Sequence, residues 1–213
     1  VRLSQSVMPR QLGTSLTFQE PRSMRIIPLI DPSRTPLADK VLLVQRVDRK
    51  IRSEFPLVKQ VHITCIDRRK ESRVLNTHGV DVRQSLVSMV LRISVVVEDN
   101  GMRQTGREVI GAQRGWEIVD NDELFISARR AAARALAKLK APKAKAGEMP
   151  VILSASAGGT FIHEALGHSL EADHVQEGSS PAYHNAIGRK IASDKITVID
   201  DPSLPFQRGS YFF

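Results

Sequence analysis

Residues 86–110 read LVSMVLRISVVVEDNGMRQTGREVI, and the reading of this stretch decides the fold. Val87, Met89, Leu91, Ile93, Val95 and Val97 recur at period two. A strand therefore places all six on one face, with Ser88, Arg92 and Ser94 on the other. Asn100-Gly101 suits a two-residue hairpin turn, whose central positions need positive φ. Met102 to Ile110 should then return antiparallel. One face of such a meander is strongly apolar and needs a helix laid across it.

The flanking segments supply strands and helices. Upstream, QVHITCI (60–66) alternates, with Val61, Ile63 and Cys65 opposed to His62 and Thr64. Arg73 to Thr77 reads as a second short strand closed by His78-Gly79. Leu37, Val41, Val44, Val47 and Ile51 keep helical spacing to about Ser53, and Pro56 forbids continuation. Residues 1–36 carry five prolines and no sustained period, so they read as an extended or partly disordered lead-in. Downstream, Leu124, Ala128, Ala131, Ala135, Leu136 and Leu139 form the buried stripe of a second helix. Asp120, Asn121 or Asp122 caps its start, and Lys138 and Lys140 favour its end. Residues 37–140 are thus expected to form an α+β domain, an antiparallel β-meander backed by helices.

After a linker at 141–148 (APKAKAGE), residues 149–156 (MPVILSAS) read as a buried strand. Gly158-Gly159 then reads as a turn, and Thr160 as the N-cap of a helix. Gly178 to Pro181 breaks the pattern, and Lys195 to Ile199 makes one more strand.

Bulk properties narrow the function classes. A length of 213 residues accommodates one large or two small domains, each with a core. The lone cysteine, Cys65, excludes an internal disulfide and points to a reducing compartment. There is no run of eighteen apolar residues and no signal-peptide layout at the N-terminus, so a cytoplasmic protein with no membrane partner is expected. The net charge of +8 raises the question of nucleic acid. The basic residues are scattered, however: Arg68, Arg69 and Lys70 fall at a strand end, Arg129, Arg130 and Arg134 on a helix. No aromatics interleave with them for base stacking. A solvated basic surface is the better reading, and a nucleic-acid adaptor would reveal itself by steeply salt-dependent DNA binding.

The chemistry concentrates in TFIHEALGHSLEADH (160–174), which holds three histidines and three carboxylates. In the zinc-protease pattern His-Glu-x-x-His the two imidazoles lie about 40° apart around a helix and reach one ion. Here His163 and His168 are five residues apart, and a regular helix would splay them by about 140°. One ion is shared only if the helix contains a π-type turn, or ends or kinks between them. Gly167 lowers the cost of such a distortion. Glu164 occupies the place of a general base, able to take a proton from a metal-bound water and pass it to a leaving amine.

Two plainer readings stand beside this one. In an acidic solvated helix, Glu164 and His168 would be an ordinary four-apart pair, with Glu171 and Asp173 facing water; Phe161, Ile162, Ala165, Leu166 and Leu170 make the helix too apolar for that. A carboxylate-rich metal site of the ferritin type would use the Glu-x-x-His of Glu171 and His174, but it needs a second such motif and two further glutamates on long helices.

The segment GEMPVILSASAGGTFIHEALGHSLEADHVQEGSS (147–180) resembles the active-site segment of the TldD/PmbA metalloproteases, whose mark is His-Glu-x-x-x-His followed by Leu-Glu-x-Asp. The long strand, EDNGMRQTGRE, GWE and the alanine-rich helix are similar too, so the resemblance covers roughly residues 37–213. It implies that His163 and His168 bind Zn2+ and that Glu164 is the catalytic base; Glu171 and Asp173, close by in sequence, are candidates for an outer layer around them. The family's third ligand is a cysteine far downstream, for which Cys65 has no place. Residues 149–213 would then be the opening of a metalloprotease domain that this chain does not complete. The implied function is zinc-dependent hydrolysis of unstructured peptides by a TldD-type chain. Its expected partner is a PmbA/TldE-type paralogue, or another copy of itself, and as an isolated piece it should be inactive. The alternative is a non-catalytic binding or scaffold subunit of a protease complex, which measured zinc content would distinguish.

Overall fold

The computed structural model describes residues 22–77, 79–119 and 122–211. They form four strands, β1 (Arg22–Arg25), β2 (Val58–Leu75), β3 (Asp81–Asp99) and β4 (Met102–Ala112), and four α-helices, α1 (Leu37–Glu54), α2 (Glu123–Lys140), α3 (Ala155–Ile162) and α4 (Ala172–Glu177). The chain divides into two compact units. One runs to Pro142 and takes in the residues from Asp201 onward; the other is Lys143–Asp200. No described helix is long and apolar enough to cross a membrane.

The class is α+β, as the alternation in β3 implies. β2 pairs antiparallel with β3 along nearly its whole length, from Val58↔Val97 to Leu75↔Asp81. β4 pairs antiparallel with Met89–Asp99 on the other edge, through the Asn100-Gly101 turn, where both residues have positive φ. β1 pairs in parallel with residues 82–85 of β3. β1 and β4 therefore share one edge of β3, end to end, and the sheet is mixed.

The apolar face holds the core. Met89, Leu91, Ile93, Val95 and Val97 are buried against Val47 and Ile51 of α1 and Leu124, Ala128, Ala131 and Ala135 of α2. Burial of these aliphatic side chains drives the assembly at about 25 cal/mol per Å² of apolar surface removed from water. The alanine stripe brings α2 close to the sheet. A Cβ at Gly106 would lie 1.8 Å from the carbonyl oxygen of Ala131, so β4 must carry glycine there. Arg129 fastens α2 to α1 through two hydrogen bonds to Glu54, at 2.6 and 2.7 Å.

Several expectations need correction. Residues 60–66 and 73–77 are not two strands: β2 is continuous over 18 residues. Its polar middle, 67–72, lacks an apolar rhythm, yet pairing with β3 satisfies its backbone while the side chains reach solvent. In α1, Leu37 and Val41 lie on the helical spacing but are exposed; Val47 and Ile51 are buried, with Leu43 half-buried against the core. Asp122 stands at the N-cap of α2 but makes no capping hydrogen bond, and Asp120 and Asn121 lie outside the described residues. Of the lead-in, Arg22–Arg25 is a paired strand, and residues 1–21 lie outside the described residues.

In the second unit, residues 149–154 form no strand, and Ile152 is fully exposed. Lys195 to Ile199 likewise forms none. Both runs have strand composition, but no described strand lies beside them to take their backbone hydrogen bonds, and burial decides strand propensity more than composition does. Gly158-Gly159 is not a turn. Ser154 caps α3 by accepting from the Ala157 N–H, so the helix starts before the glycines and runs through them to Thr160 and beyond.

Candidate metal centre

The site grows from the end of α3. His163–Gly167 form a π-helical turn in which the His168 N–H donates to the carbonyl of His163, an i→i+5 bond. His168–Leu170 tighten into a 3₁₀ turn, and Glu171 leaves the helix at φ −57°, ψ 133°. α4 follows and ends on Gly178 at φ 76°, the left-handed conformation glycine adopts freely.

The wide turn brings the motif side chains together. The imidazole centroids of His163 and His168 are 4.5 Å apart with planes at 69°. One donor atom each from His163, Glu164 and His168 lies within 4.8 Å of the others. Glu164 Oε2 is 3.8 Å from His168 Nε2. Two imidazoles and an oxygen are zinc donors by type, and all three side chains are open to solvent.

Glu171 orients the second histidine. Its Oε1 is 2.7 Å from His168 Nδ1. A carboxylate only accepts, so the Nδ1 carries the proton, and in the neutral ring Nε2 is the nitrogen left with a lone pair. The same hydrogen bond raises the His168 pKa above its ordinary value, by stabilising the imidazolium. Glu171 Oε2 also lies 3.6 Å from His174 Nε2. Asp173 does otherwise: its Oδ1 accepts from the His174 N–H at 2.9 Å. Glu171, Asp173 and His174 make a second trio of close donor atoms.

Gly167 closes the π-turn. Its φ of −55° is open to any residue, but a Cβ there would lie 3.4 Å from His163 Nδ1. That is ordinary contact distance, so a methyl group fits beside the ring and only a larger side chain would crowd it. Residues outside the motif brace it. Ser180 is buried; its hydroxyl donates to the Ser169 carbonyl at 2.6 Å, and its N–H donates to that of His174. His184 Nδ1 donates to the Val175 carbonyl at 2.9 Å. Sequence reading passed over both, because Gly178 to Pro181 signals a break and gives no hint of an anchor. Cys65 lies at the margin of the core of the first unit, and burial pushes its thiol pKa up.

Comparison with known proteins gives the family. Residues 30–139 match the PmbA/TldA metallopeptidase central domain and residues 146–213 the PmbA/TldA metallopeptidase C-terminal domain. The chain belongs to the PmbA/TldD metallopeptidase family. It is 35% identical to a metalloprotease TldD homolog of Haemophilus influenzae over 80% of this chain and 36% of the relative. It is 31% identical to a metalloprotease of Methanothermobacter thermautotrophicus, over 85% of this chain and 39% of the relative. A more distant relative, the zinc metalloprotease TldD homolog of Saccharolobus solfataricus, is 24% identical over 82% of this chain and 39% of its own length. The chain thus spans less than two fifths of these relatives.

Proposed function

We propose that this chain carries the zinc-binding helix and the general base of a TldD-like peptidase acting on unstructured peptides. The observation that carries the reading is the convergence of His163, Glu164 and His168 in one π-turn. His163 and His168 would hold the ion, with His168 aligned by Glu171. Bound zinc would supply Lewis acidity, lowering the pKa of water to about 7. Glu164 would take the proton released as water adds to the peptide carbonyl and return it to the departing amine. Its exposed carboxylate, beside the histidines, suits both transfers. Asp173, through the His174 N–H, would steady the start of α4.

A catalytic zinc uses three protein ligands and a water, and the motif offers two imidazoles. By the family resemblance the third ligand would be a downstream cysteine outside residues 1–213, so with its two imidazoles the chain alone should bind zinc weakly and cleave nothing. Exposed apolar side chains, among them Ile152, Ile187 and Ile199, support association with a PmbA/TldE-type paralogue or a second copy. The free Cys65 supports a cytoplasmic setting. The non-catalytic scaffold reading rests on the same two-ligand count. Zinc analysis and peptide cleavage, with the chain alone and joined to the remainder of a relative, separate the two. Zinc without cleavage in the completed enzyme, or no zinc at all, would defeat the peptidase assignment.

A further inference from the structure

The face of the sheet turned away from the helices carries a cleft that the peptidase reading does not use. A cavity of about 300 Å³ lies between this face and residues 208–211, within the first unit. Arg68 and Lys70 stand two residues apart on β2, and Arg92 on β3 pairs with Thr64, so all three project from the same face. Arg208 completes the lining. Its approach depends on Gly111: a Cβ there would lie 2.9 Å from Arg208 Cδ.

Three features identify a ligand. No aspartate or glutamate lines the cleft, and these four cations have no carboxylate partner among the described residues. Like charges crowded without a counter-charge repel, and an anion relieves them. Gln113 also lines the cleft and is 2% exposed. Its Nε2 donates to the Ser210 carbonyl, tying residues 208–211 to the strand end and fixing the wall of the cleft. A phosphate monoester carries more negative charge than a carboxylate and has three strong acceptor oxygens to share among arginine and lysine. Leu86 and Val90 supply an apolar floor beside the cations.

We propose that this cleft binds a phosphate group, free or on a small ester. The test is calorimetric titration of the full chain at fixed ionic strength with inorganic phosphate, phenyl phosphate and benzoate. Saturable binding of the phosphates and not of benzoate is expected. Tighter binding of phenyl phosphate than of inorganic phosphate would assign an ester, equal binding the free ion. Arg68→Ala and Arg92→Ala should each weaken binding tenfold or more, and Gly111→Leu should do so by displacing Arg208. Arg103→Ala, outside the cleft, should change nothing. Lys70→Gln gives a second charge removal if either alanine variant unfolds. No saturable phosphate binding, equal binding of benzoate or of a glutamate-rich peptide, or insensitivity to the cleft variants would overturn the proposal.

Discussion

His163 and His168 are five residues apart in sequence, yet their rings meet edge to face with centroids 4.5 Å apart. The i→i+5 hydrogen bond between their backbones produces this meeting, because one extra residue in the turn cancels most of the splay a regular helix would impose.

Base and ligands should separate cleanly in the completed enzyme. Glu164→Gln is expected to keep zinc and to lower kcat by about 10²–10⁴-fold, since an amide cannot accept the proton. His163→Ala or His168→Ala should lose both metal and activity. Metal analysis beside a peptide-cleavage assay checks this; a Glu164→Gln enzyme near the parent rate would remove Glu164 from the role.

Gly167 lies directly against the His163 ring. Gly167→Ala should be tolerated, because its Cβ meets His163 Nδ1 at contact distance, 3.4 Å. Gly167→Val adds two methyl groups at the same place and should turn the imidazole, weakening zinc binding about tenfold, the loss typical of disturbed ligand orientation. Equal zinc affinity in both variants would contradict the steric account.

The Glu171–His168 bond has a definite pH signature. A raised histidine pKa means that its stabilising contribution is complete below the ordinary value of about 6.5. It fades as pH climbs through the raised value. Without metal, NMR titration of His168 should give a midpoint above about 6.5, and Glu171→Gln should bring it down. A midpoint indifferent to Glu171 would place the two groups apart in solution.

The close approach of β4 to α2 at Gly106 is also testable. Gly106→Ala would press a methyl group into the Ala131 carbonyl, and overpacking of this severity should cost about 3 kcal/mol or more. Ile93→Ala, which empties a fully buried site, should cost about 2–5 kcal/mol. Ile152→Ala, at a fully exposed position, should stay within about 0.5 kcal/mol. Urea denaturation ranks the three, and a large Ile152 effect would indicate burial in an assembly.

Much of the first unit was legible because its signals are local. Period two in Val87 to Val97, Asn-Gly at the hairpin and the alanine stripe of α2 each depend on a few adjacent residues. The parallel pairing of Arg22–Arg25 was not legible, since four residues polar but for Met24 gain strand character only from β3. In the second unit, Val151-Ile152-Leu153 and Ile196 to Ile199 have strand composition, and composition alone cannot provide a neighbour. The histidine spacing announced an irregular turn. Ser180 and Glu171 were harder, because their roles arise from contacts set by where the chain turns back.

β3 touches every other strand: β2 along one edge, β1 and β4 in succession along the other. It is the spine of this unit, and each of the other described strands pairs with β3 alone. Loss of the Arg22–Arg25 pairing would free only one end of the spine, whereas separation of β3 from β2 would dissolve sheet and core together. Amide protons near Leu91 to Val95, held on both edges and under the helices, should therefore exchange with solvent last, through global opening alone. Those at 82–85 should exchange sooner, through a local peeling of β1.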